Sequence, residues 1–205
     1  MANVRLTQID QSHWADHAHL LPTDVCFFLR EYTSGKGFAF SDTNRLLSNL
    51  KKDPLNSARA DYRYKSEAID QCSDELKDAL NPEWLEHATL VPVPPSKVRS
   101  DPGFDDRLVR VCRGMGQAID VRELVYQTST TRASHNSGAN RVTVQELLAV
   151  YAINNQITHP EPTSIAIVDD MLTAGTHFRA MHSVLSARFP DVPIIGLFIA
   201  RRVFP

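Results

Sequence analysis

Apolar runs alternate with helix-like segments over the second half of the chain. Ile165 to Val168 form a run without a charge, which favours a strand buried on both faces. Further strands are predicted over residues 89–93, 123–127 and 193–200, and helices over residues 105–115, 142–151 and 176–188. This alternation predicts an α/β fold with a parallel sheet flanked by helices.

The first 84 residues follow a different pattern. Two aromatic, β-prone runs, residues 24–32 and 37–40, flank a Thr-Ser-Gly-Lys turn and predict a β-hairpin. Ser41 or Thr43 can cap a helix that ends near Lys52, and residues 57–80 carry apolar side chains at helical spacing. Residues 1–84 are therefore predicted to be a small accessory region of a hairpin and helices, attached to a core at residues 85–205.

Composition narrows the class of protein. The 205 residues suffice for one α/β domain with an attachment. The net charge of −2, from 22 basic and 24 acidic residues mixed along the chain, does not indicate nucleic-acid binding. No apolar stretch approaches the roughly 18 residues of a membrane span, and residues 1–21 lack the apolar core of a signal peptide, so we expect a soluble, cytoplasmic protein. Three scattered cysteines without metal-ligand spacing predict buried, reduced thiols.

The strongest chemical signal directly follows the apolar run. Asp169 and Asp170 come at the carboxyl end of the predicted strand, the edge at which open α/β sheets bind ligands. Thr173 and Thr176 then supply hydroxyl groups around Gly175, just before a helix N-terminus that favours an anion. A plain strand-to-helix turn with an acidic N-cap is the alternative, but the hydroxyl and glycine residues favour a ribose-phosphate site.

A second polar cluster follows the strand at residues 89–93. Pro94 and Pro95 end that strand, and Ser96, Lys97 and Arg99 follow in a short loop. The two cations suit a diphosphate, although exposed basic residues after a turn are also common on ordinary surfaces. Further along, residues 128–141 are rich in Ser, Thr, Asn and Gly, which predicts a mobile loop.

Residues 164–176 resemble the phosphoribosyl-diphosphate (PRPP) binding motif of type I phosphoribosyltransferases. In that family, apolar residues precede two acidic residues, two variable residues and a tail of hydroxyl residues around a glycine. Ala174 and His177 stand where the family has hydroxyl residues. The Pro-Val-Pro segment at residues 92–94, with the Gly-Phe-Asp at residues 103–105, is similar to the competence-protein F (ComF) branch. The resemblance covers roughly residues 85–205.

The resemblance implies a type I phosphoribosyltransferase-like sheet and the transfer of a 5-phosphoribosyl group from PRPP to a nucleobase-like acceptor, with release of pyrophosphate. It also implies Mg²⁺ held through PRPP without a direct protein ligand, a homodimer, and a hood over the acceptor built from residues 1–84. The residue roles that it implies are a catalytic pair that holds the ribose hydroxyls (Asp169, Asp170), a 5′-phosphate loop (Thr173, Ala174, Gly175, Thr176, His177), diphosphate ligands (Ser96, Lys97, Arg99) and a flexible catalytic loop (Arg132, His135, Arg141).

Two other classes of function remain open. Because Ala174 and His177 depart from the motif, the chain could be a catalytically weak or inactive protein that binds PRPP or a nucleotide for regulation, or a ComF-like protein associated with DNA uptake. A kinase is less favoured, because the chain has no Gly-x-x-x-x-Gly-Lys-Ser/Thr loop. Pyrophosphate release from PRPP with a panel of bases distinguishes the transferase from the binding protein, whereas ATP-dependent phosphate transfer would indicate a kinase.

Overall fold

A mostly parallel six-stranded sheet forms the centre of the protein. The computed structural model describes residues 4–131 and 142–205. The strand order is β1-β2-β8-β7-β3-β4, and every neighbouring pair is parallel except β1 and β2. Strands β5 and β6 form a separate antiparallel ribbon. The strands are β1 (Thr7–Gln8), β2 (Val25–Thr33), β3 (Thr89–Pro92), β4 (Asp120–Val121), β5 (Val125–Gln127), β6 (Tyr151–Ile153), β7 (Ile165–Leu172) and β8 (Ile194–Val203).

Helices flank this sheet. Helix α4 contacts β3 and β7 and packs against α2, which in turn contacts α1. Helix α6 contacts β7 and β8, and it packs against α5 and the β5–β6 ribbon. The α-helices are α1 (Asp42–Leu50), α2 (Arg63–Ala79), α3 (Pro82–Leu85), α4 (Arg107–Gly114), α5 (Val144–Leu148) and α6 (Thr176–Arg188). Short 3₁₀ turns lie at Trp14–Asp16, Pro54–Asn56, Ala60–Tyr62 and Asn155–Ile157.

The predicted α/β fold, a mostly parallel sheet flanked by helices, is confirmed. The arrangement is compatible with a Rossmann-like fold. Residues Ile165 to Val168 are at most 1% exposed, as expected for a strand covered on both faces. The predicted helix at residues 176–188 is α6, and Ser41 caps α1 by accepting a hydrogen bond from the Asn44 amide. Every cysteine is free and buried, as predicted.

The strand order creates a topological switch point between β3 and β7. From β3 the chain passes through α4 to β4, whereas from β7 it passes through α6 to β8 on the other side. Right-handed crossovers that run in opposite directions place their helices on opposite faces of the sheet. The two loops that follow β3 and β7 therefore separate there, and a crevice of this kind is the usual ligand site of open α/β sheets.

Several predicted elements were wrong. The hairpin at residues 24–40 does not form, because β2 pairs in parallel with β8 and residues 37–40 lie in a turn. The helix predicted over residues 142–151 is limited to Val144–Leu148, and Tyr151 begins a strand instead. The strand predicted at residues 123–127 does form, at Val125–Gln127, but it lies in the separate ribbon and not in the central sheet. The N-terminal segment thus adds β1 and β2 to the central sheet, while its role as a hood stays a prediction.

None of the helices within residues 4–131 and 142–205 has the length and apolar character that a membrane crossing requires.

Candidate functional site

Strand β7 carries the acidic pair to the switch point and divides it between the two faces of the sheet. Both residues lie within the last half of the strand, which continues to Leu172. Successive side chains of a strand point to opposite faces. Asp170 accordingly faces the layer of α1 and α4, and Asp169 lies on the side of α6 and the β5–β6 ribbon. The two carboxylates therefore have different neighbours.

Two cations hold Asp170. The Lys51 Nζ atom, just after α1, lies 2.7 Å from Asp170 Oδ1. Arg107, the first residue of α4, donates from Nε and Nη2 to Asp170 Oδ2 over 2.9 and 2.5 Å. The side chains of Asp170, Lys51 and Arg107 are 6, 15 and 19% exposed. Both carboxylate oxygens of Asp170 are thus committed to partly buried cations, which is how a buried charge is stabilised.

This pairing continues into the layer of α1, α2 and α4. Arg107 Nη1 lies 2.9 Å from Asp105 Oδ2, and Lys65 Nζ approaches the same oxygen at 2.7 Å. Lys65 is 1% exposed and also donates to the carbonyl oxygens of Leu50 (3.0 Å) and Lys52 (2.7 Å) at the end of α1. One network of alternating charges therefore joins three helices to the end of β7.

The neighbouring carboxyl groups have opposite pKa shifts. Burial raises the pKa of Asp169 to about 7, and the charge of Asp170 adds to this effect. Burial also opposes ionisation of Asp170, but the charges of Lys51 and Arg107 outweigh it and hold the pKa well below its ordinary value. Asp170 is therefore the permanently ionised member of the pair, and Asp169 is the member that exchanges a proton near neutral pH.

A neutral histidine and a neutral phenol lie on the Asp169 side. Tyr151 Oη is 2.8 Å from His177 Nδ1. Burial lowers the pKa of His177 to about 4, and it raises the pKa of the Tyr151 hydroxyl, which the charge of Asp169 raises further. Near neutral pH this face of the site consequently offers uncharged hydrogen-bonding groups rather than a cation.

The loop after β7 leads directly into α6. Gly175 is the N-cap residue, and its φ of 86° is a left-handed conformation that favours glycine. A Cβ atom at this position would also lie 3.1 Å from Leu20 Cδ2. No side chain of the described residues caps this end of α6. Residues 173–177 therefore place the two threonines and the N-terminal amides of α6 in the loop after the acidic pair, while their role as an anion site stays a prediction.

The predicted diphosphate ligands lie in the loop after β3, but the two basic ones line a cavity to which the acidic pair does not contribute. Lys97 and Arg99 line a cavity of about 560 Å³ between this loop and the β5–β6 ribbon. Arg99 pairs with Glu123 and lies over the Phe104 ring, and Lys97 Nζ is 3.5 Å from Asp101 Oδ2. The acidic pair and residues 173–177 are not among the described residues that line this cavity.

The remaining predicted site residues are Ser96 and the three residues of the predicted catalytic loop. The backbone carbonyl of Ser96 accepts hydrogen bonds from the Thr131 amide and the Gln127 side chain, which fix the loop to β5. The predicted catalytic-loop residues Arg132, His135 and Arg141 lie outside the described residues. Both sets of roles stay predictions.

Sequence patterns alone did not identify Lys51, Lys65, Arg107 and Tyr151 as members of the site. One signal was present for Lys65, since it shares the buried face of α2 with Ala68, Ile69, Cys72 and Leu76. A lysine on an otherwise apolar face requires a buried partner. Lys51, Arg107 and Tyr151 carry no such signal, because only the tertiary fold brings them to β7.

The described residues of the site do not form a metal cage. Among residues 4–131 and 142–205, no group of three or more His, Cys, Asp or Glu side chains is placed to hold a metal. Mg²⁺ usually keeps several waters and binds through one or two carboxylates together with substrate phosphates. Asp169 has no lysine or arginine of the described residues within salt-bridge distance, so it is the carboxylate that fits such an ion.

Comparison with known proteins adds no family assignment to this geometry. No family model matches the chain, and no curated protein sequence matches it. The inference of function therefore depends on the motif of β7 and α6 and on the site that they form.

Proposed function

We propose that the protein is a phosphoribosyltransferase that binds PRPP with Mg²⁺ and transfers the 5-phosphoribosyl group to a nitrogenous base, releasing pyrophosphate. The observation that carries the proposal is the position of Asp169 and Asp170 at the switch point between β3 and β7, two residues before β7 ends in a glycine-containing loop and a helix N-terminus. Carboxylates suit ribose hydroxyls, and the loop suits the 5′-phosphate.

The charges of the site fit the expected chemistry. Departure of the diphosphate leaves positive charge on the ribose ring, and a fixed negative charge nearby stabilises that transition state. Asp170 remains ionised because Lys51 and Arg107 hold it, but these two cations offset its charge, so Asp169 is the carboxylate whose charge can face the ribose. Charge on the diphosphate would be neutralised by Mg²⁺ bound together with PRPP. Asp169 supplies the second carboxyl group, and residues 173–177 position the sugar through its phosphate.

Asp169→Asn is the sharpest test of this proposal. The substitution removes the titrating carboxyl group and leaves the Lys51–Asp170–Arg107 contacts in place. We expect PRPP affinity, measured by calorimetry with Mg²⁺, to fall by roughly tenfold to a hundredfold, as is typical for the loss of a hydrogen bond to a charged group. Pyrophosphate release with the accepted base should fall at least as much.

Asp191→Asn is the matched control, because Asp191 is exposed at the opposite, amino-terminal end of β8. This variant should bind and turn over PRPP like the wild type. PRPP affinity in Asp169→Asn equal to that of the wild type would contradict the proposed role of the acidic pair.

Binding without turnover is the second candidate function, as a regulatory or DNA-uptake-associated protein. It is favoured by the state of Asp170, since both of its oxygens already contact cations and a ribose must compete with them. A panel of nucleobases separates the two functions. Pyrophosphate release with one base supports the transferase, whereas PRPP binding without release across the whole panel supports the binding protein.

A further inference from the structure

An N-terminal segment lies directly against the proposed phosphate loop. Residues 17–20, here called the strap, follow the first 3₁₀ turn. The His17 side chain is 1% exposed and bonds through Nδ1 to the carbonyl oxygen of Thr173. The His19 amide donates to the Ala174 carbonyl over 2.8 Å, and Leu20 packs against Gly175. Three consecutive loop residues are therefore contacted by the strap.

The strap is itself anchored to α6. Arg179 Nε donates to the His19 carbonyl over 3.1 Å, and the Arg179 guanidinium pairs with Asp24. Arg179 lies one turn into α6, and its amide bonds back to the Gly175 carbonyl over 2.9 Å. The strap, the loop and the first turn of α6 thus form one connected unit.

The bond from His17 fixes the state of its ring. A carbonyl oxygen can only accept, so the proton must lie on Nδ1. Burial lowers the pKa of His17, so the ring is neutral near neutral pH and its Nε2 atom is unprotonated. Nε2 is buried and has no hydrogen-bond partner among the described residues. The histidine therefore makes one hydrogen bond, and that bond goes to the loop.

Because the peptide bond is planar, the contacts of the strap with the loop carbonyls determine where the loop amides point. The Thr173–Ala174 and Ala174–Gly175 peptide bonds are trans. In a planar trans peptide the C=O of one residue and the N–H of the next point in opposite directions. Because the strap holds the Thr173 and Ala174 carbonyls, the amides of Ala174 and Gly175 point away from it. Two consecutive amides facing the same side as a helix N-terminus form an anion-binding concavity.

We propose that the strap preorganises this loop for a phosphate monoester, and that His17 is the positioning residue that holds it. The inference rests on the proposed function for the identity of the loop as the 5′-phosphate subsite. It gives the first 84 residues a role in ligand binding that does not depend on a hood. His17 acts through the backbone of Thr173 and does not touch the ligand.

Four substitutions test the role of the His17 donor. His17→Asn keeps an N–H donor near the position of Nδ1, His17→Gln moves the donor outward toward the position of Nε2, and His17→Phe keeps a planar ring without a donor. His19→Ala is the control, because the exposed His19 acts through its backbone amide. Comparison of the Asn and Gln variants separates donor position from general loss of the histidine, even where the Phe variant folds poorly.

Amide hydrogen exchange of the strap amides of His19 and Leu20, which donate to the Ala174 and His17 carbonyls, is the first readout and is measured without ligand. Exchange should be about tenfold faster in His17→Phe and His17→Gln than in the wild type, as expected when one hydrogen bond is lost, and nearly unchanged in His17→Asn and His19→Ala. The second readout is the affinity for ribose 5-phosphate and for inorganic phosphate, which should fall about tenfold in the same two variants.

The outcomes distinguish failure of the strap proposal from failure of the proposed transferase activity. Equal exchange in all variants, equal behaviour of the Asn and Gln variants, or absence of ribose 5-phosphate binding in the wild type overturns the role of His17. If the wild type binds ribose 5-phosphate, loses it in His17→Gln, and yet releases no pyrophosphate with any base, the strap stands and the transferase fails. If the wild type turns over PRPP but exchange of the strap amides is unaltered in His17→Gln, the transferase stands and the role of His17 fails.

Discussion

Asp169 and Asp170 are adjacent in the chain, but their surroundings make them different chemical groups. Asp170 is enclosed by Lys51 and Arg107, whereas Asp169 lies on the side of Tyr151 and His177. A double substitution of the pair would mix loss of ligand contacts with loss of two buried ion pairs. Each residue must therefore be changed on its own.

Asp170→Asn should destabilise the fold more than Asp169→Asn. The amide removes the negative charge that Lys51 and Arg107 share, and breaking a buried ion pair from one side costs about 3–5 kcal/mol. Asp169→Asn should change the free energy of unfolding by less than about 1 kcal/mol, or raise it, because it removes a buried carboxyl group that ionises unfavourably. Urea denaturation near neutral pH measures both. Equal losses in the two variants would refute this division.

At the scale of single residues, the sequence grouped the acidic pair with residues 173–177 but did not identify the residues that hold them. Asp169, Asp170 and residues 173–177 follow one apolar strand, so local order in the chain was enough to group them. Lys51 and Arg107 come from two separate helices, and His17 comes from a turn near the N-terminus. Their side chains meet β7 and its loop only through tertiary packing, which local patterns do not encode.

Among the elements, α2 and α4 are joined by an unusually close contact. The Ser73 hydroxyl shares its one proton between the carbonyl oxygens of Ile69 and Val111, and its oxygen lies 2.4 Å from the position that a Cβ atom would take at Gly114. This contact holds α4 against α2. Since Arg107 begins α4, the same packing fixes the cation that holds Asp170.

Gly114→Ala should therefore destabilise the protein by about 1–3 kcal/mol, the usual cost of overpacking a close contact. Gly37→Ala is the control, because a Cβ atom there has no neighbour within 4 Å. Thermal unfolding compares the two variants. A Gly114→Ala protein as stable as Gly37→Ala would show that α2 and α4 move apart enough to accept a methyl group without loss of stability.

Element type was easier to predict than element partner. The β-branched and aromatic residues of β2 indicated a strand, and a nearby glycine turn suggested a hairpin. The strand instead pairs with β8 from Val25↔Ile195 to Thr33↔Val203. Composition reports that a segment suits a pleated, half-buried surface, but it does not report which strand lies beside it.

For the whole molecule, alternating strands and helices were enough to predict the parallel sheet and its flanking helices. The boundary at residue 84 separates the chain by sequence pattern, yet β1 and β2 belong to the same sheet as β3, β7 and β8. The N-terminal segment also supplies Lys51, Lys65 and the strap. The first and second halves of the chain are consequently expected to unfold together rather than as separate units.

Asp169 and His177 should give the stability of the whole molecule opposing pH dependences. Between pH 3.8 and about 7, Asp169 holds a proton in the folded state that the unfolded chain has released, so its contribution to stability falls as pH rises. Between pH 4 and 6.5, His177 is neutral in the folded state while the unfolded chain binds a proton, so its contribution rises with pH. The pKa values of His17 and His182 are also lowered, chiefly by burial, and act in the same direction as His177.

Substitution of Asp169 or His177 should reveal the pH dependence of stability that the other residue contributes. The free energy of unfolding of Asp169→Asn should rise with pH more steeply than that of the wild type over this range, by up to about 1.4 kcal/mol per pH unit. His177→Asn should change the slope in the opposite direction, and Asp191→Asn should run parallel to the wild type because its side chain is exposed. Urea denaturation at a series of pH values measures these slopes. Parallel profiles for the wild type and Asp169→Asn would mean that Asp169 is ionised in the folded protein throughout the range, and the proposed ribose site would then have two permanent carboxylates.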